Sequence, residues 1–336
     1  MNERVTRVVE GPSFEDLQPG LEFDSPGITL TTAHAAWYQA LTGDRMRLPL
    51  DHAAAARVTG APAPLAHPLL AINVAIGQST WASQRVKANL GYRGVHLKRP
   101  VFLGDTLYTR TRVVGARRNQ SKSGRAPTGV VALEMRTANQ HGDEVMTAWR
   151  FPMIPCRGEA AGPPDADFDI HQIGVNPTRE EFLASVPAWK TTAFPRSLPP
   201  APRPVAGECI HIAARDTVTC APELVRLTTN MAMAHLDATL SHAGQRLVYG
   251  GHTISIAFAQ LTRALPDLIA MLAWERCDHT APVFEQDRLS TEVEILEALP
   301  LAAGTMLKLH VRASAERREL KDAAQVLDWV LYIWTL

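Results

Sequence analysis

The chain carries one short motif twice, and each copy has lost a different part of it. Leu41-Thr42-Gly43-Asp44 is followed by Pro49-Leu50-Asp51, and Leu227-Thr228-Thr229-Asn230 by His235-Leu236-Asp237. The lead positions Asp44 and Asn230, and the closing positions Asp51 and Asp237, are both 186 residues apart. The first copy keeps an acid and has proline where the second has histidine. The second keeps the histidine and has an amide in place of the acid. A register held at both ends of a motif marks an internal duplication, which limits the fold to two like units.

The repeat extends beyond the motif. Gly20 and Gly207 precede the two copies at similar distances, and His67 and His252 follow them by 23 and 22 residues. Residues 99–109 match residues 281–291 at six of eleven positions, with a shift of 182. The shrinking shift implies small deletions in loops of the second copy. Between the copies lie Gly162-Pro163-Pro164 and the run from Pro199 to Pro204, which suit neither helix interiors nor central strands. The expected organisation is an N-terminal unit 1–156, a proline-rich linker 157–206 and a C-terminal unit 207–336.

Each unit has the same coarse order: motif, longer helix, then strands. The stretch from His252 to Met271 places Ile254, Phe258, Leu261 and Leu265 at helical spacing and predicts a buried helix. Leu107–Val114, Gly129–Thr137, Val145–Ile154, Leu289–Leu296, Thr305–Ala313 and Val326–Trp334 read as strands. One helix with several antiparallel strands per unit is an α+β plan. Polar residues within the longest apolar stretch argue against a membrane span, and the polar start, Met1-Asn2-Glu3-Arg4, predicts no secretory leader. With 34 basic and 34 acidic residues, no net field draws the chain to nucleic acid or anionic lipid. Cys156, Cys209, Cys220 and Cys277 form no CxxC pair, so neither a zinc site nor a disulfide framework is expected, and a cytoplasmic location is.

Thr42-Gly43-Asp44 with Pro49 and Asp51, Pro100-Val101-Phe102-Leu103-Gly104-Asp105-Thr106-Leu107, and His235-Leu236-Asp237 with Gly250-Gly251-His252 resemble the MaoC-like family of (R)-specific enoyl-CoA hydratases and dehydratases. Ala88-Asn89-Leu90-Gly91-Tyr92, Thr137–Gly142 and Arg246–His252 look closest to its double-hotdog mesaconyl-CoA hydratase (methylmalyl-CoA dehydratase) group. The resemblance implies a double hotdog, two antiparallel sheets each wrapped around a central helix and paired as an intramolecular pseudo-dimer. It implies a hydro-lyase that adds or removes water across the α,β bond of an enoyl-CoA or 3-hydroxyacyl-CoA, a branched dicarboxylyl-CoA such as mesaconyl-CoA among the options. No metal or organic cofactor is implied, because CoA is part of the substrate; no nucleic-acid or membrane partner is implied either. A homodimer of double hotdogs is a compatible assembly.

The family's Asp and His hold the water, and a backbone N–H at a helix start binds the thioester oxygen, where the helix dipole favours negative charge. Pro68 after His67 has no N–H, whereas Thr253 after His252 has one. Chemistry is therefore expected in the second unit, with His235 and Asn230 as catalytic residues. Tyr249, Gly250, Gly251, His252 and Thr253 would bind substrate, and the first unit would be a degenerate acyl-binding half. Asn230 cannot exchange a proton but can orient water, so His235 must carry the proton transfer. Asp51 and Asp237 read as local caps. Arg246 and the basic loop of Arg117, Arg118, Lys122 and Arg125 are secondary candidates for substrate carboxylate or CoA phosphate. Two alternatives remain open: a hotdog thioesterase and a non-catalytic acyl-CoA binding subunit.

Overall fold

The computed structural model describes residues 6–120, 124–158, 168–174, 176–241, 244–317 and 323–336 of the 336-residue chain. The first unit runs β1 (Glu22–Phe23), β2 (Ile28–Thr29), α1 (Thr32–Thr42), α2 (Arg47–Leu50), α3 (His52–Thr59), α4 (Pro68–Gln78), β3 (Ala88–Leu97), β4 (Thr106–Arg118), β5 (Thr128–Ala138) and β6 (Glu144–Pro155). A connecting helix α5 (Arg179–Ser185) follows. The second unit runs β7 (Cys209–Thr217), α6 (Ala221–Leu227), α7 (Gly250–Ala264), β8 (Leu268–His279), β9 (Arg288–Pro300), β10 (Thr305–Glu316) and β11 (Ala324–Thr335).

The strands are ordered β1-β4-β5-β6-β3-β8-β11-β10-β9-β7, with β2 on β4, in one antiparallel sheet. The halves join edge to edge where Tyr92 faces Cys277 and Val95 faces Trp274. That pairing removes two sheet edges that would otherwise be open to aggregation. Against the sheet lie α4 and α7, apolar nearly all round and buried from Leu69 to Gln78 and from Gly251 to Thr262. Two of their polar side chains make matching hydrogen bonds to the sheet. Gln78 Nε2 donates to Leu107 O at 2.8 Å and Gln260 Nε2 to Leu289 O at 2.9 Å, a repeat at the 182-residue shift.

The helix expected over His252–Met271 ends earlier, at Ala264, and β8 begins at Leu268. Pro266 explains the break: it has no N–H to continue a helix and disfavours helical backbone at Leu265. The apolar run beyond it is a strand buried on both faces, which has no alternating signature. β3 escaped the sequence reading for the same reason, since Tyr92 to His96 are all buried. Among the described residues no helix is long and apolar enough to cross a membrane.

The two halves exchange matched contacts about an approximate two-fold axis. Met231 N–H donates to Thr80 Oγ1 at 2.9 Å, and its counterpart Arg45 N–H donates to Thr262 Oγ1 at 3.2 Å. Asn73 Nδ2 donates to Ser255 Oγ at 3.1 Å, and these two residues are themselves counterparts 182 apart, so their pair sits on the axis. Helix α4 reaches the second motif through Gly77, where any Cβ would overlap the Thr228 carbonyl oxygen. Gly77→Ala is expected to cost about 1–3 kcal/mol, the usual penalty of overpacking a fixed backbone. Urea denaturation measures it, and an unchanged midpoint would contradict the close approach.

Candidate active site

The two motifs fold alike up to one residue. Thr42 and Thr228 each turn a hydroxyl back to the carbonyl four residues earlier, Tyr38 O and Leu224 O, both at 2.9 Å. Asp44 Oδ1 accepts from Met46 N–H at 2.7 Å, and Asn230 Oδ1 from Ala232 N–H at 2.9 Å. The amide thus retains the brace that the acid makes, while its NH₂ remains a donor. Immediately before it, Gly43 (φ 63°) is replaced by Thr229 at φ 53°. A β-branched residue in the left-handed region is strained, and such strain gathers at functional sites. Asp51 Oδ1 caps Ala54 N–H at 2.9 Å and Asp237 Oδ1 caps Thr239 N–H at 2.9 Å, the local roles expected of them.

His235 sits where the first motif has Pro49. Its Nδ1 lies 2.9 Å from Leu247 O, which places the proton on Nδ1 and leaves Nε2 as a lone-pair acceptor. Burial, and to a smaller extent the positive charge of Arg150, push its pKa down to about 4, against the favourable bond to Leu247 O. At neutral pH the imidazole is therefore a neutral base.

The start of α7 corrects the expected register of the repeat. Ala66 N–H bonds Val101 O and Val248 N–H bonds Val283 O, both at 2.9 Å, so Ala66 and Val248 are counterparts. His67 then matches Tyr249, each at the N-cap position of its helix, and Pro68 matches Gly250. The counterpart of His252 is Leu70. The comparison of backbone donors survives with different residues: Pro68 has no N–H, whereas Gly250, first residue of α7, has one that no turn of the helix uses. Thr253 lies further in, where the helix occupies its N–H, and contributes its side chain to the cavity instead. Gly250 must be glycine, because a side chain there would overlap the His279 ring. Gly251 is held equally close to Asn73 and Tyr249.

Asn230, His235, Tyr249, Gly250 and Thr253 converge on a cavity of about 410 Å³. Gly251 and His252 lie behind its wall. The opposite side comes from the first unit, through Ile76, Thr80, Ser83, Asn89, Tyr92 and Arg150. The equivalent space beside the first motif holds only about 50 Å³. Met46 and Met271 line it where the open cavity has Ala232 and Asn89, and Pro187 and Trp189 of the linker close over it. Phe182 of α5 packs on His96 and Tyr332, and Trp189 on Trp334, which holds the linker in place.

Two cavity residues went unnoticed in the sequence. His279, two residues after Cys277, belongs to neither motif; burial lowers its pKa to about 4. Arg150, in β6, is a single charge within Thr147-Ala148-Trp149-Arg150-Phe151, and a lone charge in a buried strand was the available signal. The secondary candidates are occupied elsewhere. Arg246 pairs with Glu285 at 3.3 Å, Arg118 with Glu15 at 3.3 Å, and Arg117 lies over Phe168 at 5.6 Å. Arg125 is exposed and Lys122 lies outside the described residues. Among the described residues no group of three or more His, Cys, Asp or Glu side chains is placed to hold a metal ion.

This is a double hotdog with one open, two-sided cavity and one closed one. Residues 16–133 match the family described as MaoC like domain. A mesaconyl-CoA hydratase of Cereibacter sphaeroides is 29% identical, covering 88% of this chain and 89% of that protein. A beta-methylmalyl-CoA dehydratase of Chloroflexus aurantiacus is 29% identical, covering 91% and 88%. A solved structure, a conserved hypothetical protein of Mycobacterium tuberculosis with a double hotdog fold, is 43% identical, with coverage of 98% and 100% and a TM-score of 0.88. The chain thus carries a MaoC like domain over residues 16–133 and has the double-hotdog fold.

The buried histidines set an acid limit on stability. His235, His252 and His279 have pKa values of about 4 in the folded state, against about 6.5 unfolded. Between pH 6.5 and 4 the unfolded chain takes up protons that the folded chain refuses, so stability falls as pH falls through that window. His252 is the extreme case, fully buried with both ring nitrogens unpartnered. His252→Leu, copying Leu70, should raise stability by a margin that grows by up to about 1.4 kcal/mol per pH unit toward pH 4. Denaturation midpoints measured across pH test this, and parallel curves for the two proteins would refute it.

Proposed function

We propose that the chain hydrates an enoyl-CoA, or dehydrates the corresponding 3-hydroxyacyl-CoA, at the cavity beside the second motif. The observation that carries this reading is the convergence of His235, Asn230 and the start of α7 on one largely apolar space. In the hydration direction the NH₂ of Asn230 and Nε2 of His235 hold a water. His235 takes a proton from it as the oxygen bonds to the β-carbon, and the double-bond electrons move into the thioester as an enolate. Gly250 N–H, backed by the dipole of α7, stabilises that negative charge. The imidazolium, disfavoured by burial and by Arg150, then delivers its proton to the α-carbon. The names of the two curated relatives support a hydro-lyase of this kind.

A thioesterase would need a carboxylate near the start of the central helix, and Gly250–Ala259 contains none. A binding subunit is favoured only by the exchange of acid for amide at Asn230. Incubation with crotonyl-CoA and mesaconyl-CoA separates the readings: loss of enoyl absorbance marks hydration, free thiol marks thioester cleavage, and binding without turnover marks a carrier.

His235→Ala should lower kcat by about 10²- to 10⁴-fold, the range for a general acid–base group. Retention of more than about a tenth of wild-type activity would remove His235 from the mechanism. Because the free enzyme's His235 titrates near 4, kcat/KM in the wild type should stay level down to about pH 5 and fall below it as the base is protonated. A limb centred near pH 6.5 would contradict this.

Asp44→Asn should act far less on kcat. Asp44 braces Met46, lies beside the closed space and approaches His67 Nε2 at 3.1 Å. Saturation curves showing a fall in kcat as large as that of His235→Ala would point instead to one shared centre.

A further inference from the structure

The cavity wall from the first unit contains a cation with no counter-charge. Arg150 is 3% exposed, and among the described residues no carboxylate pairs with it. Its Nη2 donates to Ser79 O and to Ser83 Oγ, both at 2.8 Å, while its Nε finds no acceptor. The hydroxyl of Tyr249, on the same cavity, is also buried without a partner. An arginine stays charged even when buried, and a buried charge without a partner costs several kcal/mol. Arg150 and Tyr249 both line the cavity, and each keeps a buried donor without an acceptor, an arrangement suited to an acceptor that arrives with the ligand.

The comparison between halves removes the simplest alternative, that the arginine is required by the fold. Arg150 lies opposite Tyr92 in the β3–β6 pairing, and at the matching place in the β8–β11 pairing Leu331 lies opposite Trp274. The same sheet position in the second half is filled by a buried leucine, so the architecture needs no charge there. The cation appears only where the cavity is open.

We propose that Arg150 is the receptor for a carboxylate on the acyl group, so that the site selects acyl-CoA thioesters carrying a second, anionic end. This rests on the acyl-CoA reading of the cavity and assigns its specificity to one residue of the non-catalytic half. With Nη2 held by Ser79 and Ser83, the rest of the guanidinium is left to donate to a carboxylate, and Tyr249 lines the same cavity with a second unpartnered donor. The thioester end is left for Gly250. Ser83, by holding Nη2, is a positioning residue for the guanidinium.

The test is binding, which needs no turnover. Succinyl-CoA and butyryl-CoA have acyl chains of equal length and differ in a terminal carboxylate, and both carry the same thioester oxygen. Calorimetric titration of the full-length wild-type protein should show succinyl-CoA bound at least about 30-fold more tightly, the equivalent of one desolvated charge pair. Arg150→Gln should erase that preference, and Arg150→Lys, which keeps the charge without the fork, should retain part of it. Should Arg150→Gln fail to fold, the wild type and Arg150→Lys decide the matter. Equal affinities in the wild type, or a preference undiminished in the variants, overturn the proposal. Hydration of crotonyl-CoA is followed separately: a succinyl preference without hydration of any enoyl-CoA would sink the reaction and leave the anion site standing. Hydration without the preference would do the reverse.

Discussion

The structure depends on the crossed pairing of its two halves. Asn73 touches Ser255, its own counterpart, and the Thr80 and Thr262 hydroxyls each hold a backbone N–H of the opposite motif. Each motif is thereby fixed over the other half's sheet and not over its own. A site formed this way has a chemical side and a receiving side drawn from different units. Moving one helix by an ångström would detach a motif from its wall, and the Gly77 contact with Thr228 shows how little room exists.

From that symmetric frame the two cavities have been driven apart. On one side Met46, Met271, Leu331 and the linker's Trp189 convert a site into ordinary core. On the other, Ala232, Asn89 and Arg150 keep space and charge at a price in stability. The open side carries several liabilities: Thr229 in left-handed backbone, His235 and His279 held neutral by burial, and Arg150 with no carboxylate partner among the described residues. Local conflict of this kind is what a functional site shows when the rest of a fold is internally consistent.

Much of this was legible in the residues. The constant register of Asp44 with Asn230 and of Asp51 with Asp237 gave the duplication, and the double hotdog followed from the resemblance it carried. The exposed-and-buried strands, such as β4 and β9, alternate and were readable. β3 and the first turns of β8 were not, because strands buried on both faces have no period to detect. The match of His67 to His252 failed because one histidine caps its helix and the other lies inside it, which only the bridges to Val101 and Val283 reveal. Arg150 was invisible for a different reason. Its significance lies in the space before it, and that space is lined mostly by residues distant in the sequence, from Ile76 to Phe284.

The linker's position has a consequence for how the molecule responds to ligand. Two separate hotdogs joined as a homodimer would present two identical cavities, and occupancy of one could alter the other across the shared helices. Here Pro187 and Trp189 of the same chain pack against the first cavity. Of the two equivalent spaces beside the motifs, one is about 410 Å³ and the other about 50 Å³, so a ligand filling the larger would have no equivalent site within the described residues to cooperate with. Fusion has exchanged a capacity for communication between sites for the freedom to specialise one wall.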